Sequence, residues 1–150
     1  MKKRFLFILW IIIVICGIVA ILFIFHKNNK KVLFEQYSFS NISGKNYGYV
    51  IYIDGTIQKS EKPKEIKKID DEELRQLIQL SSEINANDYA TNYSSFYGEQ
   101  TSYAKIYNNK NNSYIELTYS SGNSYKYNTS EATNKILELA DELYNKYLDD

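Results

Sequence analysis

The sequence predicts an α+β domain behind one N-terminal membrane-spanning helix. Residues 5–25 contain no charged, amide or hydroxyl side chain, and from residue 32 onward the apolar residues alternate with period two, as in strands. Two helical patterns interrupt and close this alternation. We therefore expect an antiparallel sheet of about five to six strands with both soluble helices packed on one face, in the order strands, helix, strands, helix.

The apolar run from Phe5 to Phe25, which includes Trp10, has the length of a membrane span. Its 21 residues would form a helix of roughly 31 Å, close to the thickness of a hydrocarbon core. A cleaved signal peptide is the main alternative, but its apolar stretch is usually only about 7–15 residues long. A lipoprotein signal would need small residues just before Cys16, where large ones stand. We expect an uncleaved anchor in contact with the lipid bilayer.

The charges beside this run bear on its orientation. Three basic residues precede it within residues 1–4, and three follow it within the polar spacer 26–31, so the positive-inside rule gives a tie. Because the first three are clustered at the very start, we expect the N-terminus in the cytoplasm. The protein would then be a single-pass membrane protein with residues 32–150 outside the cytoplasm. That domain holds all 18 acidic residues but only 12 of the 18 basic ones, a net charge of −6.

The first half of the domain shows strand patterns followed by a helix. Residues 32–40 form a weak strand, and Tyr47–Ile53 alternate more clearly before Asp54-Gly55, a turn pair suited to positive φ. The charged segment 59–68 is expected to be a solvated connector. A helix then begins after Asp70, with Glu73 as the partner in a capping box. Its expected buried stripe is Leu74, Leu77, Ile78, Ser81 and Ile84.

The second half begins with a long segment of no clear period. Residues 86–100 are expected to be an irregular loop, which either packs over the sheet or binds a partner. Three alternating stretches follow and predict an antiparallel meander with a turn at residues 120–122. These stretches are 101–107, 113–119 and 123–127.

A last apolar pattern predicts a second soluble helix that ends near Leu148. It is expected to begin near Asn128, because Asn128 and Glu131 could cap each other's main chain. Six residues recur at helical spacing and form its expected inward face. They are Ala132, Ile136, Leu139, Ala140, Leu143 and Tyr147.

The residue inventory argues against catalysis. The one His is His26 and the one Cys is Cys16, so the domain has no imidazole or thiol for a nucleophile, a general base or a zinc site. Its glycines are scattered singly and form no phosphate-binding loop. We expect no enzyme activity, no cofactor, no metal and, because of the net negative charge, no nucleic-acid partner. The alternative is an envelope hydrolase with paired carboxylates.

Tyrosine is the one positive functional signal, since all 15 tyrosines lie in the domain. Tyr offers broad apolar area with a polar tip and is enriched at protein interfaces, although it also simply favours strands. The side chains of the meander expected to face the helices are Ala104, Ile106, Ile115, Leu117 and Tyr119. The candidate partner-binding residues are Tyr103, Lys105, Tyr107, Tyr114, Glu116 and Thr118 on the opposite face, and Tyr93 and Tyr97 in the loop.

These features predict a binding or accessory module, such as an envelope assembly factor or an immunity or inhibitor protein. Its partner would be another envelope protein or a polymer. The segment Tyr49–Ile57, the capped helix start Ile69–Leu74, the meander and the closing helix together resemble small bacterial cell-envelope domains of unknown function, often lipoproteins. The resemblance covers most of residues 47–148 but lacks the lipoprotein signal. It implies location and fold, and it brings no catalytic residues.

Overall fold

The computed structural model describes residues 11–19, 31–40, 43–108 and 113–149, with residues 94–99 described by their backbone alone. The chain divides into two compact units, Met1–Lys30 and Lys31–Asp150. The predicted α+β class is confirmed for the second unit, which holds one antiparallel sheet and two helices.

Within the first unit, residues 11–19 form helix α1, which falls inside the predicted membrane span. All nine residues are apolar and none is buried; Ile13, for example, is 61% exposed. No helix among the described residues is long and apolar enough to cross a membrane. The remainder of the predicted span, including Phe5, Trp10 and Phe25, lies outside the described residues, as does the basic tail 1–4. The span therefore stays a prediction.

In the second unit, the described strands form one sheet of six. They are β1 (Val32–Ser40), β2 (Asn46–Tyr52), β3 (Thr56–Lys59), β4 (Ile66–Lys68), β5 (Tyr89–Asn108) and β6 (Ser113–Asn128). Their order is β4-β3-β2-β1-β5-β6, and every neighbouring pair is antiparallel. The β2–β3 hairpin turns at Asp54-Gly55 as predicted, with Gly55 at φ 78°. The expected connector 59–68 is partly wrong, because its end forms β4.

Strand β5 contradicts the expected loop at 86–100, because residues 89–100 are extended. Tyr89 lies opposite Asn128 and Tyr93 opposite Ser124, so this part of β5 pairs with the second arm of β6. The first arm of β6 pairs with the later part of β5, from Ser102 onward. A segment without visible period is thus held in the sheet by main-chain pairing.

Strand β6 reverses direction part-way along its length. Lys126 Nζ lies 3.9 Å from Glu116 Oε1, whereas ten residues of straight strand would separate these two positions by roughly 33 Å. The reversal falls where a turn was predicted, and Gly122 has φ 60° there. Strand β5 follows the outer side of this bend, and the outer path needs more residues than the inner path of β6. Its register with β6 accordingly shifts between Tyr93 and Ser102.

Helices α2 (Asp71–Glu83) and α3 (Glu131–Tyr147) pack on the same face of the sheet, as predicted. In α2, Glu73 Oε2 accepts a hydrogen bond from the main-chain N–H of Asp70 at 3.3 Å, so the predicted capping box is present. The core between the helices and the sheet is apolar. Its larger members are Leu33, Phe34, Ile51, Ile57, Ile106 and Leu117 of the strands, with Leu77, Leu80, Ile136, Leu139 and Leu143 of the helices.

Two helix predictions were wrong in detail. Ile78 is 38% exposed and Leu80 is buried in its place, because the buried stripe of α2 is centred on Leu77 and Leu80. The N-cap of α3 is Ser130 rather than Asn128. The buried Asn128 amide instead donates to the carbonyl of Asn85 at 2.7 Å and accepts from the main chain of Ser130 at 3.0 Å. It thereby joins the end of β6 to the segment after α2.

Candidate functional site

The β5–β6 register decides which side chains share the sheet face that points away from the helices. Residues directly opposite each other in antiparallel strands lie on the same face. Six residues of β5 and β6 form three such pairs on this face, and two residues of β1 lie beside these pairs. We call this set the tyrosine face: Glu35, Tyr37, Tyr103, Lys105, Tyr107, Tyr114, Glu116 and Tyr119.

A bulge in β6 corrects two of the predictions. Lys105 pairs with Glu116, but the next residue back, Ala104, pairs with Thr118, so Leu117 is an extra residue in β6. Thr118 therefore lies on the helix side with the buried Ala104 and is not part of the predicted surface. Tyr119, expected to face the helices, lies opposite Tyr103 on the tyrosine face. Strict alternation fails here because one inserted residue exchanges the two faces.

The centre of the tyrosine face is the ammonium group of Lys105. Its Nζ lies 4.1 Å from the ring centroid of Tyr103 and 4.7 Å from that of Tyr114, a cation–π contact with each ring. It also lies 3.8 Å from Glu35 Oε1, which accepts a 2.8 Å hydrogen bond from the hydroxyl of Tyr107. The side chains of Lys105 and Glu35 are only 19% and 20% exposed. These contacts hold the five side chains in one arrangement.

Tyr37 extends this aromatic surface onto β1. Its ring stacks on Tyr103 with centroids 5.6 Å apart and an interplanar angle of 24°. Gly48 of β2 lies directly opposite Tyr37, and a Cβ placed on Gly48 would come within 3.0 Å of the Tyr37 ring. The absence of a side chain at Gly48 is therefore what gives the ring its place.

The second arm of β6 adds a further ion pair at the edge of this surface. Lys126 pairs with Glu116 and places its Nζ 4.2 Å from the ring centroid of Tyr89. The two lysines and two glutamates of the surface thus offset one another in charge. Tyr93 is 77% exposed, and the described contacts do not join it to the tyrosine face. The side chain of Tyr97 lies outside the described residues.

The phenol groups of Tyr103 and Tyr107 stay protonated. Burial raises the pKa of Tyr107, and the hydrogen bond to the negatively charged Glu35 raises it further. The pKa of Tyr103 is also raised by burial and by the charge of Glu35. These two side chains therefore present neutral hydroxyl groups and ring surface, which suits binding rather than nucleophilic chemistry.

Two cavities lie on the other side of the sheet. The first has a volume of about 340 Å³ and is lined by residues that include Tyr49 and Asp141. The second has a volume of about 420 Å³ and lies between α2 and the strands, beside Leu33 and Ile78. Asp141 is the one carboxylate among the residues that line these two cavities. No group of three or more His, Cys, Asp or Glu within the described ranges could hold a metal ion.

Sequence reasoning missed Glu35 and Tyr37. The alternation of β1 was visible, because Phe34 is apolar and Glu35 and Tyr37 both lie on the face opposite to it. Nothing in the sequence showed that β1 would lie beside β5. No protein-family model, no curated protein and no solved structure matches the chain.

Proposed function

We propose that this chain is a single-pass membrane protein whose C-terminal domain is a non-catalytic binding module outside the cytoplasm. Its contact surface is the tyrosine face, and its partner is another protein of the cell envelope. The cluster around Lys105 carries this proposal. Because Lys105, Glu35 and Tyr107 are already held by mutual contacts, a partner would immobilise few side chains on binding, which lowers the entropic cost.

Membrane attachment is supported by the N-terminal unit. The described residues of α1 present apolar side chains that are 40–61% exposed, and they lie inside an apolar run of 21 residues. A helix apolar on all sides requires lipid or protein around it. The basic cluster within residues 1–4 is the reason for the cytoplasmic N-terminus.

Charge balance defines the kind of partner. Within the tyrosine face Lys105 pairs with Glu35, and at its edge Lys126 pairs with Glu116, so the surface attracts neither a polyanion nor a polycation. The remaining contact area is tyrosine ring and hydroxyl, and Tyr114 is 53% exposed. Such a surface fits an uncharged patch of a folded protein, where Tyr supplies apolar area and hydrogen bonds together. Binding should therefore depend little on ionic strength.

The test begins with a photo-reactive amino acid at position 114 of the full chain in living cells, with position 76 on α2 as the exposed control. A protein that is captured at position 114 but not at position 76 is then purified, and its affinity for the full chain in lipid nanodiscs is measured. We expect Tyr114→Ala to weaken binding at least about tenfold, as for an interface hot spot. Tyr93→Ala is the matched control, because Tyr93 is exposed but separate from the tyrosine face, and it should leave the affinity unchanged.

Several results would overturn this proposal. A glycan or lipid adduct at position 114 would exclude a protein partner, and an adduct with a second copy of the chain would make the face a homodimer interface. Equal effects of the two Tyr→Ala substitutions would exclude the tyrosine face as the contact surface. A loss of affinity of more than about tenfold between 50 and 300 mM salt would exclude an uncharged contact. No observation on the described residues favours the hydrolase alternative.

A further inference from the structure

The cavity beside Tyr49 lies on the helix side of the sheet, opposite the tyrosine face. Strands β1, β2 and β6 and helix α3 each contribute polar side chains to it. Its lining includes Gln36, Ser38, Tyr49, Thr118, Asp141 and Tyr144. A volume of about 340 Å³ is at the lower end of the range for small-molecule sites, roughly 300–1,000 Å³.

The inner wall of this cavity has more hydrogen-bond acceptors than donors. Tyr49 is only 4% exposed, and its hydroxyl donates to Gln36 Oε1 at 3.2 Å. Burial raises the pKa of this hydroxyl, and the nearby carboxylate of Asp141 raises it further. Since a phenol has one hydrogen, it cannot fully satisfy both acceptors. A ligand that brings its own O–H or N–H donors would complete the set.

The charges around the cavity restrict the ligand further. No Lys, Arg or His is among the lining residues, and Lys59 already lies over the Tyr144 ring, so a phosphate or carboxylate would face Asp141 without a basic group in the lining. An ammonium group would meet Asp141, but Tyr144 already has the Nζ of Lys59 at 5.4 Å from its ring centroid. A second cation against that ring would be repelled by the first. The cavity therefore favours a neutral ligand with several donors.

The hydroxyl groups and rings of the cavity favour a ligand with both donors and acceptors. Ser38 and Thr118 each carry a hydroxyl that can donate and accept. The Tyr144 ring packs against Tyr49 with centroids 5.0 Å apart, which adds an apolar wall. A sugar ring has this combination, since its hydroxyl groups bind polar side chains while its C–H face packs on an aromatic ring.

We propose that this cavity binds a neutral sugar residue, with Asp141 and Gln36 accepting hydrogen bonds from its hydroxyl groups. Thr118 and Ser38 complete the polar contacts, and the tyrosine rings support the apolar face of the sugar. The lining of this site also includes Tyr37 and Tyr103 of the tyrosine face. The two tests stay separate because Tyr114 does not line the cavity and Asp141 does not belong to the tyrosine face.

The test uses the full chain in lipid nanodiscs, free of sugar-based detergent, and saturation-transfer NMR of the ligand. The sugar probes are glucose and N-acetylglucosamine. Tetramethylammonium is the cationic comparison. Inorganic phosphate is the anionic comparison, and its binding is followed by the width of its ³¹P line. We expect a saturable sugar signal below about 20 mM and no saturable signal from the other two. Asp141→Asn should weaken sugar binding about tenfold or more, since hydrogen bonds to a charged acceptor are the strong ones.

Two further variants separate binding from folding. Thr118→Val keeps the shape of the side chain and should weaken sugar binding severalfold. Tyr114→Ala on the other face should leave it unchanged. Asp141→Asn should stay folded, because Asp141 is an exposed residue of α3 and the amide has the same size as the carboxylate. Saturable binding of tetramethylammonium or phosphate instead of sugar, no sugar binding at all, or equal binding by the wild type and Asp141→Asn would each overturn the proposal.

Discussion

Replacement of Gly48 by Ala tests how closely β1 and β2 approach beneath the tyrosine face. A Cβ at this position would overlap the main-chain oxygen of Gln36 and lie 3.0 Å from both the Cα and the Cδ2 of Tyr37. Two of these three atoms belong to the main chain, so relief requires β1 and β2 to separate. Overpacking of a tight site costs typically about 1–3 kcal/mol, and we expect about 3 kcal/mol here.

This loss should be visible as a lower melting temperature. For a unit of this size, Lys31–Asp150, about 3 kcal/mol corresponds to a decrease of roughly 10–15 °C. The assay is thermal unfolding of the full chain in nanodiscs, followed by near-UV circular dichroism of the tyrosines. The native spectrum of Gly48→Ala should also change, because the Tyr37 ring is displaced from its stack on Tyr103.

Gly122→Ala is the matched control in the same sheet. A Cβ on Gly122 meets nothing within 4 Å, but its φ of 60° lies in the left-handed region. That backbone conformation alone costs an L-residue about 1 kcal/mol, or roughly 3–5 °C. If Gly48→Ala is no more destabilising than Gly122→Ala, the close approach of the two strands is wrong.

Four further substitutions probe the core and the helix contacts. Leu77→Ala should lower the free energy of unfolding in urea by about 3 kcal/mol, because Leu77 is fully buried. Ile78 is 38% exposed, so Ile78→Ala should cost less than half as much. Similar losses for the two variants would contradict the observed buried stripe of α2. Asn128→Ala should cost about 2 kcal/mol in the same assay, since the carbonyl of Asn85 loses its 2.7 Å donor and keeps only the longer contact of the Ser130 hydroxyl at 3.4 Å; a neutral effect would contradict that role. Burial raises the pKa of Glu73, but hydrogen bonds, first from Lys146, lower it overall. The ionised carboxylate therefore stabilises the fold above about pH 4.5, and this contribution to the free energy of unfolding should be lost as the pH falls below that value. Glu73→Gln should reduce that acid dependence, and an unchanged pH profile would contradict it.

The class and order of the elements could be predicted because each depends on local signals. The capping box of Asp70 and Glu73 marks the start of α2, and Asp54-Gly55 marks a hairpin, whatever the rest of the chain does. Helical spacing also identified most of the apolar positions of α3. These patterns act within one or two turns of chain, so a single sequence contains them.

The arrangement of the tyrosine face could be predicted only in part because it depends on register. Alternation placed Tyr103, Lys105 and Tyr107 together, but the bulge at Leu117 exchanges the faces of Thr118 and Tyr119, and no turn residue marks it. Residues 89–93 belong to the sheet because the second arm of β6 offers them a partner. Such long-range pairing leaves no periodic trace in the segment itself.

One labelling experiment in intact cells tests most directly whether the tyrosine face is covered by a partner outside the cytoplasm. In a Cys16→Ser background, Tyr114→Cys and Tyr93→Cys are compared with a membrane-impermeant maleimide. The positions are 53% and 77% exposed, so both should react readily in the purified chain. We expect position 93 to react in intact cells and position 114 to be protected until the membranes are solubilised and the chain is purified. Equal labelling of both positions in intact cells would show an uncovered face, and no labelling of either until lysis would place the domain in the cytoplasm; each result would contradict the proposed function.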